Sequence, residues 1–259
     1  MTQSERLRFL IHALVAENPR IKDILIPEIP DEQWRLLRSL MNVRPPRPAA
    51  DDFLKIQNEY LTELISNRGI VDAHAVPATA TDSRIVVWKG DITSLRIDAI
   101  VNAANSQMEG CWQPCHECID NCIHTFSGLQ LRMRCHELMM EQGHEEPTGQ
   151  AKITPGYNLP AKHVLHTVGP IINHGLSNRD RDLLASCYVS CLKLAEESGC
   201  HSIAFCCIST GVFRFPQDKA AEIAIRTVKG CLNGGSAIKR VVFNVFTAED
   251  ERIYHQQLG

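Results

Sequence analysis

From about residue 84 the chain switches repeatedly between two hydrophobic patterns, and this limits the folds open to it more than any other feature. Short β-branched runs at Ile85–Trp88, Ile97–Val101, Val164–Thr167, Ile203–Ile208 and Val241–Phe246 predict strands. Helical stretches lie between them, at Leu129–Met140, Leu183–Glu197 and Asp218–Leu232. Strands that alternate with helices imply an α/β fold: a sheet covered by helices on both faces, with its ligand crevice at the strand ends.

The first third reads differently. Leu7, Leu10, Ile11 and Leu14 recur at helical spacing and stop at Asn18-Pro19. Asp31 looks like an N-cap for a helix through Leu40, and Arg44-Pro-Pro-Arg-Pro interrupts it. A third amphipathic stretch starts at Asp51 or Asp52 and runs through Phe53, Ile56, Tyr60, Leu61 and Ile65. The expected division is a helical N-terminal extension over residues 1–80, packed on a main domain over residues 81–259, with the boundary near the bland stretch from His74.

Hydrophobic residues make up 44% of the 259, enough for a sizeable core. A formal charge of -3 offers no broad electrostatic capture of nucleic acid, so any bound phosphate must be held by backbone amides or a few chosen side chains. Glu5, Arg6 and Arg8 break the apolar start, and no run of about 18 apolar residues exists to span a membrane. The expected location is cytoplasmic, where the eleven cysteines are thiols or metal ligands rather than disulfides.

Four segments carry candidate chemistry, each where a strand gives way to a loop. In Lys89-Gly90-Asp91-Ile92-Thr93 a short carboxylate beside a glycine turn can accept from an exocyclic amine, or simply cap the turn. Asn102-Ala-Ala-Asn105 follows an apolar strand, where small residues allow close approach and an asparagine can bond a sugar hydroxyl or stabilise a turn. In Ser209-Thr210-Gly211-Val212-Phe213, exposed amides before a helix suit a diphosphate without net positive charge. Neither G-x-x-x-x-G-K-[ST] nor G-x-G-x-x-G occurs, which removes the usual support for P-loop and dinucleotide-binding readings.

The fourth segment, residues 110–124, is the most informative. Cys111, Cys115, His116, Cys118, Cys122 and His124 place six soft or borderline donors within fourteen residues. Thiolate and imidazole are the donors zinc prefers. Cys115 and Cys118 form a C-x-x-C, while Cys111, His116 and Cys118 form a C-x4-H-x-C, and the spacing does not choose between them. No second cysteine pair follows at zinc-finger distance, so a closed four-ligand structural site is not obvious, and three protein ligands with an open position would instead make a catalytic site.

In order along the chain, GDIT, IDAIVNAAN, GQAKITPGYNLPAKHVLHTVGP and ISTGVFRFP closely resemble the macrodomain family of ADP-ribose-binding proteins, over about residues 84–248. Hydrolases of that family usually carry a G-G-G-V-D-G-A-I-H loop. Here the loop reads C-H-E-C-I-D-N-C-I-H, which keeps Asp120 and His124 and resembles the zinc-containing bacterial macrodomains with a helical N-terminal extension. The resemblance implies a three-layer α/β/α fold with a mixed sheet. It implies adenine contacts from Asp91 and Ile92, and the distal ribose at Asn105. Cys118, Ile119, Asp120 and Asn121 would lie along the diphosphate and distal ribose, with Ser209 to Phe213 closing over the diphosphate. One Zn²⁺ would sit on Cys111, His116 and Cys118, leaving Cys115 and Cys122 aside.

The expected function is zinc-dependent removal of mono-ADP-ribose from protein carboxylates, with Asp120 positioning the sugar or water and Asn105 fixing the ribose. The expected partners are ADP-ribose and an ADP-ribosylated protein, with neither nucleic acid nor membrane. A lipoylated carrier protein modified by a companion sirtuin is implied by the resemblance alone. The alternatives are a non-catalytic ADP-ribose-binding module and an O-acyl-ADP-ribose deacylase.

Overall fold

The apolar runs after residue 84 pair into one six-stranded sheet in this computed structural model, which describes residues 1–259. In chain order the strands are β1 (Val71–Asp72), β2 (Ile85–Lys89), β3 (Leu95–Arg96), β4 (Ala99–Ala104), β5 (Ala151–Pro155), β6 (His163–Val168), β7 (Ser202–Phe205) and β8 (Arg240–Val245). The six-stranded sheet runs β2-β8-β7-β4-β6-β5. Every neighbouring pair is parallel except β5 with β6, so the sheet is mixed, with its antiparallel strand at one edge. The remaining pair, β1 with β3, forms a separate parallel ribbon.

The helices are α1 (Gln3–Ala16), α2 (Pro30–Val43), α3 (Asp51–Arg68), α4 (Ile119–Ser127), α5 (Leu129–Gln142), α6 (Asn178–Glu197), α7 (Gln217–Asn233) and α8 (Ala248–Leu258). Helices α6, α7 and α8 pack side by side, while α4 lies against β4 with α2, α3 and α5 around it. Because helices cover the sheet, β7 and most of β4 and β8 are buried residue after residue, which is why their sequences read as unbroken apolar runs.

Several elements lay outside the sequence reading. Strand β5, AKITP, is only partly buried, and its pairing partner rather than its composition makes it a strand. Helix α4 is hidden inside the cysteine-rich motif. Helix α8 is mostly polar and buries Ile253, Tyr254 and Leu258, with the Tyr254 ring 5.0 Å from that of Phe243. Helix α2 starts after Ile29, without a side-chain cap, so Asp31 is not its N-cap; Pro30 takes the first turn, where its missing N–H costs nothing, and Asp31 sits beside it at the positive end of the helix dipole.

Helices α1–α3 enclose a core of 12 buried residues, including Leu7, Leu10, Leu37 and Leu61, which also takes in Leu129 of α5. A core of 50 residues surrounds the sheet and reaches Ile65 of α3. Trp34 packs against both cores, its ring 5.9 Å from Phe126 and 6.0 Å from Tyr60. Polar groups join the same layers. The fully buried Gln57 accepts the Leu129 amide at 3.0 Å, satisfying a free donor at the start of α5. Past α3, the Arg240 guanidinium donates to the carbonyls of Ala73 and Val76 and fastens that stretch to the sheet.

Asp98, just before β4, ties three strands together at the amino ends of β4, β6 and β7. It accepts from the amides of His201 and Ser202, both at 3.0 Å, and from Lys162 Nζ at 2.7 Å. Burial by itself would raise its pKa, but the Lys162 bond and the amide and Ser202 hydroxyl bonds outweigh it and bring the value down to about 2. A carboxylate depressed from 3.8 to about 2 has a ceiling of about 2.4 kcal/mol of stability, and solvent screening of this partly exposed group brings the contribution nearer to about 1 kcal/mol. That contribution is complete above the unfolded pKa and fades as pH falls through the folded one. Urea unfolding of Asp98→Asn should therefore show a loss of about this size at pH 7 that shrinks towards pH 2. A loss that does not change with pH would assign the effect to packing instead.

Candidate active site at the carboxyl ends of the parallel strands

Parallel strands deliver all their carboxyl ends to one edge, so five separate loops meet there. Asp91 follows β2, Asn105 follows β4, Gly169 follows β6, the loop from Cys206 to Pro216 follows β7, and Phe246 follows β8. These loops include all four segments that carry candidate chemistry.

Asp91 caps a short 3-10 turn over Ile92–Ser94, its Oδ1 accepting from the Thr93 amide at 2.9 Å and hydroxyl at 2.6 Å. Oδ2 takes a 2.6 Å bond from Arg68, the last residue of α3. Asn244 of β8 donates to the Gly90 carbonyl at 2.9 Å and holds the turn from the neighbouring strand. Ile92 beneath it is buried. Asn105 serves a turn: its Oδ1 accepts from the amides of Gln107 and Met108, and its Nδ2 donates to the Gly110 carbonyl at 3.1 Å. That last bond ties the end of β4 to the cysteine-rich loop.

The loop after β7 folds on itself through Phe215 N to Ser209 O at 3.0 Å and Arg214 N to Gly211 O at 3.0 Å. The amides of Gly211, Val212 and Phe213 donate to no backbone acceptor, and Val212 is 73% exposed. Ser209 is buried at φ 66 against Gly169, where an added Cβ would lie 2.0 Å from the serine hydroxyl. Only glycine at residue 169 lets this loop sit so low over β6.

Residues 111–118 form no helix or strand, then Cys118 caps α4, its Sγ accepting from the Asn121 amide at 3.4 Å. The side chains of Cys111, His116 and Cys118 converge, with all three ligand atoms within 4.8 Å of one another and Cys111 Sγ 3.7 Å from His116 Nδ1. Tetrahedral zinc with such ligands separates its donor atoms by about 3.6 Å, so the set fits that ion. Cys115 turns away: its thiol donates to the Arg35 carbonyl at 3.3 Å. Cys122 lies beside Arg38, with Sγ 3.6 Å from Nη2. Gly110, at φ 80, is required here because a Cβ would strike the His124 ring at 2.7 Å.

A sequence profile for the family described as Macro domain matches residues 101–224. The chain is 59% identical over 261 aligned residues to a protein from Treponema medium named protein-ADP-ribose hydrolase, covering 100% of both chains. A protein of the same name from Staphylococcus aureus is 49% identical over 252 residues, with 97% of this chain and 94% of that one covered. The chain belongs to the macrodomain family. Among solved macrodomains, one from Oceanobacillus iheyensis with ADP superimposes with a TM-score of 0.61 at 36% identity, covering 66% of this chain and 88% of that one. One from Trypanosoma brucei in complex with ADP gives 0.63 at 30% identity, covering 86% and 96%.

Beneath the crevice of this macrodomain lies a buried polar network that the sequence does not announce. Asn102 Nδ2 donates to Asp120 Oδ1 at 2.8 Å and to His166 Nδ1 at 3.1 Å. His166 Nε2 then meets Thr154 Oγ1 at 2.9 Å, so the imidazole is neutral with its proton on Nε2. Burial lowers the His166 pKa to about 3, drives that of His124 well below its usual value and raises that of Asp120 to about 6. At 3.6 Å, His124 Nε2 is too far from Asp120 Oδ1 for a hydrogen bond, and a neutral imidazole makes no ion pair. His124, Cys135 and His166 also cluster within 4.8 Å, but both nitrogens of His166 are already engaged by Asn102 and Thr154.

Asn102 stood out in sequence only as the first of two asparagines, and its role comes from the sheet register that sets it opposite His166. Phe246 is 78% exposed at the end of β8, beside the strand that leads to Asp91. Removing the Asn102 amide leaves a buried carboxylate and a buried imidazole without their donor. Asn102→Ala should therefore cost roughly 2–3 kcal/mol in chemical denaturation. A change below about 0.5 kcal/mol would mean that the network relaxes around the loss.

Proposed function

We propose that this macrodomain is a zinc-dependent protein-ADP-ribose hydrolase that releases mono-ADP-ribose from modified carboxylate side chains. The hydrolase class is supported by full-length relatives of that name at 59% and 49% identity. The single observation that carries the zinc reading is the convergence of Cys111, His116 and Cys118 immediately before Asp120.

In this reading Asp91 and Ile92 receive adenine, and the Phe246 ring stacks against it. The free amides of Gly211, Val212 and Phe213, with Ser209 and Thr210 beneath them, take one side of the diphosphate. Ile119 and Asp120 at the start of α4, with Cys118 and Asn121 flanking them, take the other. Neutral donors suit a chain whose charge is -3. Asn105 orients the distal ribose. Asp120, held by Asn102, positions the sugar or the attacking water as the bond from the anomeric carbon to the protein carboxylate is hydrolysed. Zinc, when bound by Cys111, His116 and Cys118, supplies Lewis acidity at the distal ribose. The reading also divides the chain into an extension over residues 1–80 and a catalytic domain over residues 81–259. No helix is long and apolar enough to cross a membrane.

Elemental analysis should find one zinc per chain, lost in Cys118→Ala with the sheet core intact, since that core lies outside the loop. Absence of metal from protein purified without chelators would sink the zinc reading. Asp91→Ala should weaken ADP-ribose binding by roughly 1.5–3 kcal/mol in a titration. Asp120→Ala should lower turnover of a modified protein more than affinity, and equal losses would make it a binding residue only. Turnover itself excludes a pure binding module. Parallel rates on modified protein and on O-acyl-ADP-ribose would separate hydrolase from deacylase, and rates on a modified lipoylated carrier against another modified protein would test the implied substrate.

A further inference from the structure

The metal-ligand loop has no ladder of its own, and its geometry is supplied by helix α2. Arg38 Nη2 donates to the His116 carbonyl at 2.6 Å and to Asn121 Oδ1 at 2.8 Å. Arg38 Nε reaches the same Oδ1 at 3.3 Å. Asn121 passes the hold onward, its Nδ2 donating to the Gln113 carbonyl at 2.9 Å. One turn further along α2, the buried Asn42 accepts the Cys115 amide at 2.9 Å and donates to Thr125 of α4 at 3.0 Å. On the other side, Arg132 of α5 donates to the Cys111 carbonyl at 3.3 Å and to the carbonyls of Asn42 and Arg44 at 2.6 and 3.0 Å.

We propose that Arg38 is a positioning residue that, assisted by Asn42, sets the loop carrying Cys111, His116 and Cys118, which makes the N-terminal extension part of the active-site scaffold. The inference rests on the reading of those three residues as zinc ligands. A planar guanidinium can bridge the His116 carbonyl and the Asn121 amide oxygen at once, whereas an ammonium on a flexible stem lacks the fork that fixes their separation. Groups that orient metal ligands from behind typically change metal affinity by about 10–100-fold when removed. Cys115, turned towards α2 with φ 54, marks where the loop is bent onto the helix.

The test uses the full chain with Arg38→Ala and Arg38→Lys, and with Leu61→Ala as a control that damages the helical core without touching the loop. Zinc affinity is read by competition with a chromophoric chelator. Hydrogen exchange of residues 110–122 is read in metal-stripped protein. Arg38→Ala should weaken zinc binding by roughly 10–100-fold and speed loop exchange, with strands β4 and β7 unchanged. Arg38→Lys should recover little of either, and Leu61→Ala should lower the melting temperature while keeping zinc affinity. Arg38→Gln serves the same comparison should Arg38→Ala not fold.

Wild-type zinc affinity in Arg38→Ala overturns the proposal, as does unchanged loop exchange. Equal zinc loss in Leu61→Ala overturns it too, because general destabilisation would then explain the effect. A wild-type chain that holds no zinc, while Arg38→Ala still frees the loop, upholds the grip of Arg38 on the loop and defeats the zinc reading instead.

Discussion

The site depends on one buried amide. Asn102 sits in β4, at zero exposure between β6 and β7, and its two N–H bonds go to Asp120 and His166. A buried donor left unpaired is costly, and so is a buried carboxylate, so each group holds the other in place. The bond also fixes α4 against the sheet, because Asp120 lies in its first turn. The start of that helix, where Cys118 caps the Asn121 amide, is thereby set on the sheet, while the loop before it is held from α2 and α5.

From the outside, the same region is braced by helices that precede the sheet in the chain. The α1–α3 core borrows Leu129 from α5, and Trp34 belongs to both hydrophobic cores. Such shared packing keeps α2 in register with the loop it touches. Two arginines then extend it to the crevice: Arg38 towards the cysteine-rich loop, and Arg68 to the Asp91 carboxylate at one end of the crevice. Arg68 also lies over the Phe126 ring, 4.4 Å from its centre, which steadies a guanidinium that is otherwise partly in solvent.

The electrostatic design uses few full charges. Near the loop after β7 and at the start of α4 the available donors are backbone amides, which carry partial charge without the solvation cost of lysine. That solution suits an acidic chain and demands accurate backbone placement. The glycine at residue 169 provides it by letting Ser209 descend against β6.

How much of this was legible in the sequence depended on how local each signal was. The five core strands, the larger helices and the four motif segments were readable, because apolar runs, helical periods and clustered donors are properties of adjacent residues. Edge strand β5 and helix α8 were not, since their hydrophobic content is slight and their pairing partner or packing surface lies far along the chain. By itself the sequence determined the α/β class, the loops that carry polar groups and a six-donor cluster suited to soft metals. Its spacing left open whether Cys111 or Cys115 faces inward, because both are compatible with a ligand, and only the family resemblance pointed to Cys111. Tertiary structure decided that point, by turning Cys115 towards the Arg35 carbonyl while Cys111, His116 and Cys118 converge. It alone set Asn102 against Asp120 and His166, and Arg38 behind the loop, for these contacts join residues 18 to 83 positions apart whose proximity exists only once the sheet and helices have packed.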